Sequence, residues 1–227
     1  RGKSGGLEEY GDTPFTTEAR KNLKKINDFI SGHFINLDIT DDQHHELLHR
    51  LGQRDDKARD SFIDFTKTKL KRIFNNSSFE EGGRFYGGWW QQIPSDYRIF
   101  ITINSKKTVQ LDYSGMHFAI MYADIGMNNP MEDPYALKEY DNHLRGDIKT
   151  AFNIIMNCST KEMAIAPTNE RIKKGKLSSE LRSGEKLQQA FTNTNPWITD
   201  KITRGDGLKA QSIDSHVGER ILLKGME

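Results

Sequence analysis

The sequence predicts an α+β fold, mainly helical with a small antiparallel sheet. Three patterns lead there. Apolar residues recur at helical spacing along most of the chain, residues 99–103 alternate with a period of two, and turn-forming residues at 104–107 fold that strand back on 108–111. Residues 1–15 are Gly-rich and polar and read as an extended lead-in. Thr16 or Thr17 caps a first helix carrying Leu23, Ile26, Phe29 and Ile30. Asp41 and Asp42 open a second, short helix through Leu51. A third is expected over 55–74, with Phe62, Phe65, Leu70 and Ile73 as its buried stripe. Lys67, Lys69, Lys71 and Arg72 stand toward its end, where cations suit the helix dipole.

Residues 75–88, rich in Asn, Ser and Gly, read as loop. In the strand that follows, Ile99, Ile101 and Ile103 alternate with Phe100, Thr102 and Asn104. Past Asp112, the residues Met116, Ala119, Ile120 and Ala123 recur at i, i+3, i+4 and i+7, so the chain becomes a helix that Gly126 stops. Asp133-Pro134 has the form of a helix start. Helical patterns follow over 134–144, 145–158, 178–192, 197–204 and 207–224, broken by Pro167, Gly175, Asn195-Pro196 and residues 205–207. No internal repeat is present.

Bulk properties narrow the function classes. A chain of 227 residues holds one large domain or two small ones, and 35% hydrophobic against 29% charged residues is a globular balance. The net charge of +1 excludes a polycation, so any grip on nucleic acid comes from local clusters. The single cysteine, Cys158, excludes an internal disulfide framework and fits a reducing compartment. No apolar run reaches membrane-spanning length and no signal-peptide pattern opens the chain, which predicts a cytoplasmic protein with no membrane partner. The chain lacks an initial Met and stops inside an expected helix, so it reads as an internal piece of something longer.

The chemistry concentrates in residues 83–123. Asp112 stands where the expected strand gives way to a helix. There a carboxylate serves either as a ligand for a hard cation with room for waters and phosphate, or as a helix-start residue favoured by the dipole. Gly82-Gly83-Arg84 lets backbone approach a ligand and presents a guanidinium suited to bidentate phosphate contact. Trp89 and Trp90 read as core or loop anchors more readily than as base-stacking platforms. Downstream, Arg145 and Lys149 are four apart and share a helix face, where they either neutralise a triphosphate or form a solvated face offset by Asp147 and neighbouring acids.

Taken in order, these motifs resemble the family A DNA polymerases and their relatives, the single-subunit phage-type RNA polymerases. Gly83-Arg84 precedes Gln91-Gln92-Ile93-Pro94, then come Arg98 and a strand leading to Asp112-Tyr113-Ser114, the acid-led helix start Asp133-Pro134-Tyr135, and the Arg-x-x-x-Lys of Arg145 and Lys149. The match covers residues 79–158 well and 195–227 loosely. It implies a partial polymerase palm plus reduced fingers: a helical region over 1–78, palm sheet with the first metal motif over 79–126, fingers-like helices over 127–206, and a helix returning to the palm over 207–227. The implied activity is template-directed, Mg²⁺-dependent transfer of a nucleotide to a primer 3′-hydroxyl, with primer–template nucleic acid and a nucleoside triphosphate as partners. The implied roles are Asp112 and the Tyr113 carbonyl for metal, Arg145 and Lys149 for catalytic phosphate neutralisation, His117 and Tyr113 at the nucleotide, and Arg84 and Gln92 on nucleic acid.

The chain departs from the family at several points. His117 stands where the DNA polymerases carry a glutamate that crowds the sugar 2′ position, which leaves dNTP and NTP both open. Asn153 and Asn157 occupy places where the fingers helix has aromatic residues, and the interval from Asp112 to Arg145 is short. Asp214-Ser215-His216 invites comparison with the second metal motif. However, Ile213, Val217, Ile221 and Leu222 follow helical periodicity rather than that of a hairpin. The two-metal Mg²⁺ site is therefore expected to be incomplete and the fragment inactive.

Two other classes compete. His45-Glu46-Leu47-Leu48-His49 fits H-E-x-x-H, in which two histidines bind Zn²⁺ and the glutamate serves as general base, a zinc metallopeptidase pattern that lacks an obvious third ligand. The basic content of 65–75 and of 171–176 (Arg171, Lys173, Lys174, Lys176) suits a non-catalytic nucleic-acid-binding module.

Overall fold

A computed structural model describes residues 6–53, 62–158, 160–202 and 204–227. The fold is α+β, mainly helical with small antiparallel sheets, as the periodicities predict. Two compact units share the chain. One takes in Phe74–Arg84 and Tyr113–Val217, and the other Glu8–Ile73, Phe85–Asp112 and Gly218–Glu227.

In the second of these units α1 (Pro14–Ser31) is capped three or four residues ahead of the expected Thr16 or Thr17. Thr13 is the cap, its Oγ1 accepting from the Thr16 amide at 3.1 Å while the Thr16 hydroxyl oxygen accepts from the Thr13 amide at 2.8 Å. Pro14 in the first turn needs no amide partner, so the threonine pair and the proline together fix the start. Thr40 and Gln43 form the same box at the head of α2 (Asp41–Gly52), whose Leu47 and Leu51 are buried. β1 (Ile35–Leu37) lies on one side of β4 (Ile101–Ile103) and β5 (Lys106–Lys107) on the other, all antiparallel, with Ile35 opposite Ile103 and Thr102 opposite Lys107. Between β4 and β5, Asn104 and Ser105 both take positive φ, 49° and 63°, the backbone of a tight two-residue hairpin. Leu37, Leu47, Leu51, Ile63, Trp89, Ile93 and Tyr97 make this unit's core. Trp89 lies within it, its ring 4.9 Å from Phe65 and 6.0 Å from Trp90, so the tryptophans anchor packing.

Two expectations fail here. The part of the proposed 55–74 helix over 55–61 lies outside the described residues, and 62–70 is not helical. Instead β2 (Lys71–Asn75) and β3 (Ser78–Tyr86) pair as a two-stranded sheet. The reason is the turn between them. Asn76 and Ser77 sit at φ 53° and 57°, and asparagine tolerates that region well. A stretch whose composition reads as loop is thus a hairpin, with Phe74 and Phe79 edge to face at 5.2 Å across its end. Phe62 and Phe65 are exposed, while Leu70 is held like a strand residue: its amide donates to Asn27 Oδ1 at 2.7 Å and its carbonyl accepts from Asn27 Nδ2 at 2.9 Å.

Arg72, expected on a cationic helix end, is instead inside. It pairs with Glu219 at 3.1 Å, the two side chains only 3% and 11% exposed, and its guanidinium lies 5.2 Å from the Phe85 ring centre. Burial draws the Arg72 pKa below its ordinary value, and Glu219 opposes that shift.

The other unit contains α3 (Met116–Ala123), α4 (Arg145–Met156), α5 (Lys161–Lys173), α6 (Gly184–Thr194) and α7 (Thr199–Ile202). The helix α8 (Gly207–Lys224) has the bounds expected from sequence, and it runs on into the second unit. Phe118 and Phe152 stack at 4.2 Å and 19°, with Phe191 and Tyr135 around them in a core that includes Ile148, Ile155, Leu181 and Leu187. α3 forms as expected but is rotated. Phe118, Met121 and Tyr122 are buried, whereas Met116, Ala119, Ile120 and Ala123 are not. A helix apolar almost all round has no face chosen by period, so the aromatic stack chooses it. Residues 134–144 form turns and a short 3₁₀ segment, Asn142–Leu144, rather than an α-helix. Pro167, expected to break the chain, lies inside α5, which Thr160 caps through the Met163 amide.

Replacing Arg72 by Met strands Glu219 in an apolar setting and is expected to cost about 3–5 kcal/mol, whereas Arg72→Met combined with Glu219→Leu recovers most of the loss. Urea unfolding of the two variants checks this. Equal losses in both would mean that the pair's mutual charge is irrelevant to stability.

Candidate functional site

The residues that the sequence singles out fall into three groups. The first surrounds the head of α4. Ile148, Ala151, Phe152 and Ile155 turn inward and fix the rotation of this helix, which leaves Arg145 and Lys149 exposed along its edge. Arg145 donates twice to one carboxylate, from Nε to Asp133 Oδ2 at 2.6 Å and from Nη2 to Asp133 Oδ1 at 3.1 Å. That bond holds the Asp133 carboxyl below the usual range and raises the guanidinium. Asp133 Oδ1 also accepts from the Tyr135 amide, so the acid-led start orients an arginine instead of opening a helix. The Tyr135 ring is buried edge to face with Phe118 and Phe152. Over its face stand the Arg145 guanidinium at 5.5 Å and the Lys149 ammonium at 6.0 Å. Lys149 makes no ion pair among the described residues. Asp147, weighed above as its counter-charge, accepts the Ser178 amide at 2.7 Å instead.

The second group gathers around His117, in the first turn of α3. The imidazole is half-buried, and its Nε2 is enclosed without a hydrogen-bond partner among the described residues. Burial lowers its pKa, and the nearby charges of Arg84 and Lys149 push the same way while Asp214 resists. Arg84, Lys149 and Asp214 therefore share the field of one imidazole. Arg84 arrives on β3 just after Gly82 and Gly83, both at φ 79°, where other side chains are strained. Its Nη2 donates to Asp214 Oδ2 on α8 at 3.2 Å, with both side chains about a third exposed, 40% and 32%. Tyr113 is exposed. Gly115 follows at φ 61°, where an added Cβ would meet Pro134 Cγ at 2.5 Å, so this loop needs glycine both for backbone and for space.

The third group is Asp112 and Gln92, both in the other unit. Asp112 is exposed and makes no hydrogen bond or ion pair among the described residues. It does not end a strand. β5 stops at Lys107, and Thr108 adds one last cross-strand contact, its amide and hydroxyl donating to the Ile101 carbonyl at 3.4 and 2.8 Å. Residues 108–113 then leave the sheet, with Val109 and Leu111 exposed, and Gly115 rather than Asp112 caps α3. Gln92 closes the 3₁₀ turn Trp89–Gln91, its amide donating to the Trp89 carbonyl at 3.0 Å.

His45, Glu46 and His49 are exposed on α2, and His49 Nε2 lies 3.1 Å from Gln53 Nε2. Among the described residues no three His, Cys, Asp or Glu side chains gather as metal ligands. The basic run at 67–72 is not one cationic face, since Arg72 is inside. In the run at 171–176, Lys174 is bound to Glu170.

Sequence reasoning missed Asp133 as the partner of Arg145 and Asp214 as the partner of Arg84. No local signal joins residues 130 positions apart. No family model, curated protein or solved structure matches the chain. Among the described residues, no helix is long and apolar enough to cross a membrane.

Two imidazoles in this unit are tuned in opposite senses. His143, just before α4, is raised by hydrogen bonds to Glu180 (Nε2 to Oε1, 3.0 Å) and Asp141 (Nδ1 to Oδ1, 3.2 Å), whereas His117 is lowered. Proton-resolved NMR is expected to show His143 titrating above about 6.5 and His117 below it. The stabilisation from His143 is then full below about pH 6.5 and lost as pH rises through its folded pKa. That from His117 is present above about pH 6.5 and lost as pH falls. A reversed order of the two midpoints would contradict the geometry.

Proposed function

We propose that the chain carries the nucleotide-handling part of a template-directed nucleotidyltransferase of the family A polymerase type. The observation that carries this reading is the face of α4: Arg145 and Lys149 stand together over the Tyr135 ring, and Lys149 shares the field of His117 with Arg84. The order of motifs around those residues supports it.

In this reading a primer 3′-hydroxyl attacks the α-phosphate of a nucleoside triphosphate, and pyrophosphate leaves. Negative charge then grows on the departing oxygens, and fixed cations that need no reorganisation stabilise it. Among the described residues Lys149 has no ion pair to break before it would meet a phosphate. Arg145 must trade the Asp133 carboxylate for a phosphate oxygen, an exchange between two bidentate acceptors of similar geometry. His117 and Tyr113 lie toward the nucleotide, and Arg84 and Gln92 toward primer and template, by analogy with the family.

Asp112 is an exposed carboxylate without a partner among the described residues, which fits a hard cation that keeps most of its waters. Asp112 and the Tyr113 carbonyl would hold Mg²⁺, which when bound offsets charge on the phosphoryl oxygens. One carboxylate is only part of a two-metal donor set, so binding rather than turnover is assigned to these residues. A reducing, cytoplasmic setting belongs to the same proposal, supported by the single cysteine, whose thiol burial pushes up in pKa.

Titration with a fluorescent nucleoside triphosphate in Mn²⁺ tests the reading. Lys149→Ala is expected to weaken binding by on the order of tenfold or more, the loss of one charge-assisted contact. Asp112→Ala is expected to remove the Mn²⁺ dependence. Unchanged affinity and unchanged metal dependence in the two variants would sink the proposal.

A further inference from the structure

We infer that β5 and the segment after it form a self-pairing edge, through which two copies of this chain join antiparallel about a two-fold axis at Val109. This pairing goes beyond the nucleotidyl-transfer reading and stands independently of it. Among the described residues β5 has a neighbour on one side only, β4. Thr102 lies opposite Lys107 and Ile103 opposite Lys106, and the Thr108 amide then donates to the Ile101 carbonyl at 3.4 Å. Backbone groups alternate along a strand. With those of Thr108 turned toward β4, those of Lys107 and Val109 turn outward. Residues 108–113 form neither helix nor turn and the chain does not bend there, so the alternation carries on to Leu111. Among the described residues, the amides and carbonyls of 109–112 make no backbone hydrogen bond.

The side chains alternate as well. Val109 and Leu111, 83% and 90% exposed, fall on one side of the strand with Lys107. Lys106, Thr108, Gln110 and Asp112 fall on the other. Lys106, Lys107 and Asp112 make no ion pair among the described residues.

Charge selects both the occupant and the register. In an antiparallel pairing centred on Val109, the two Val109 side chains meet and Thr108 meets the partner's Gln110. Leu111 lies against the stem of the partner's Lys107, and each Lys106 faces the partner's Asp112. A slip to the next register in either direction takes both lysines off the facing carboxylates. Lysines on a strand edge ordinarily discourage pairing, but here the strand carries the matching acid at the spacing that a two-fold axis requires. The outward residues 107, 109 and 111 then give about six backbone hydrogen bonds. Such a contact is isologous and closed, so it yields a dimer and not a fibre. Its area is well below that of a standard interface, so the dimer is weak, with a Kd on the order of tens of micromolar. A cation at Asp112 competes with the partner's Lys106 for one carboxylate, so the dimer is the form without metal there.

Sedimentation equilibrium of the full chain at low salt tests this. The wild type is expected to dimerise. Lys106→Asp and Asp112→Lys are each expected to weaken the dimer about tenfold or more, because like charges then face each other on both sides of the axis. An equimolar mixture of these two variants is expected to dimerise about as well as the wild type, since every facing pair is again opposite in sign. Val109→Pro removes an outward amide and is expected to abolish the dimer. A wild type still monomeric at about 1 mM, far above that Kd, would overturn the pairing. A mixture that dimerises no better than its components would overturn it too. Binding of a monomeric chain to phosphatidylserine vesicles, lost in Lys106→Asp, would give this edge to a lipid surface and remove the second copy. Dimerisation with the expected charge pattern, in a chain whose nucleotide binding ignores Mn²⁺ and Asp112, upholds the pairing and overturns only the transfer reading.

Discussion

The stack of Phe118 on Phe152 is the contact on which the rest of this unit depends. Both rings are fully buried, 4.2 Å apart and nearly parallel, with Phe191 and Tyr135 closing around them. Aromatic rings carry the largest apolar burial per residue and hold one another in defined geometry. Three consequences follow from that fixed point. α3 is rotated so that His117, the neighbour of Phe118, is drawn half inside. α4 is rotated so that Arg145 and Lys149, which precede Phe152 by seven and three residues, come to the edge. Tyr135 is held with one face open to those two cations. The chemistry of the site is thus set by apolar packing, and its polar residues are placed by their neighbours in sequence.

Electrostatics then decides which of those residues are free to act. The chain is nearly neutral, and its key arginines are already matched: Arg145 with Asp133, Arg84 with Asp214, Arg72 with Glu219. These pairs differ in kind. Arg72 and Glu219 are shut away from water, where desolvation opposes attraction and where loss of either partner strands the other. The Asp133 and Asp214 pairs are part-exposed and screened by solvent, so their exchange costs far less. A guanidinium left without a carboxylate would repel Lys149 and depress His117 further. One held too tightly could not be recruited.

How much of this the sequence reveals depends on whether the deciding interaction is local. α8 is readable because Gly207 and a sustained helical period mark it without help from elsewhere. α1 is readable except for its cap, since the box that joins Thr13 and Thr16 around Pro14 sits outside the apolar stripe that betrays the helix. The β2–β3 hairpin is hidden, because its turn uses Asn76-Ser77 and its second strand carries two glycines, so composition mimics a loop. The face of α3 is hidden for another reason: with apolar residues on every side, only a ring contributed by Phe152 selects Phe118. Among candidate site residues, Arg145 and Lys149 are legible from their spacing. The carboxylates that restrain Arg145 and Arg84 are legible only in three dimensions.

Asp112 illustrates the difference between a motif and the structure that surrounds it. Its sequence setting suggests a strand end, yet the strand stops at Lys107 and the last cross-strand bonds are those of Thr108 to the Ile101 carbonyl. What remains is a carboxylate on an extended, water-exposed segment, bonded to nothing among the described residues. Such a group keeps its contact with solvent, and a hard cation would displace no protein partner among the described residues to reach it. Lys149 is in a similar condition within its own unit: its ammonium is exposed, makes no ion pair among the described residues, and lies over the face of Tyr135 in the field of Asp133. Arg84 and Arg145 must give up a carboxylate to bind an anion, whereas Asp112 and Lys149 give up only water. If the proposed reading holds, binding at either of these groups would cost less than binding at an arginine that must first release its carboxylate.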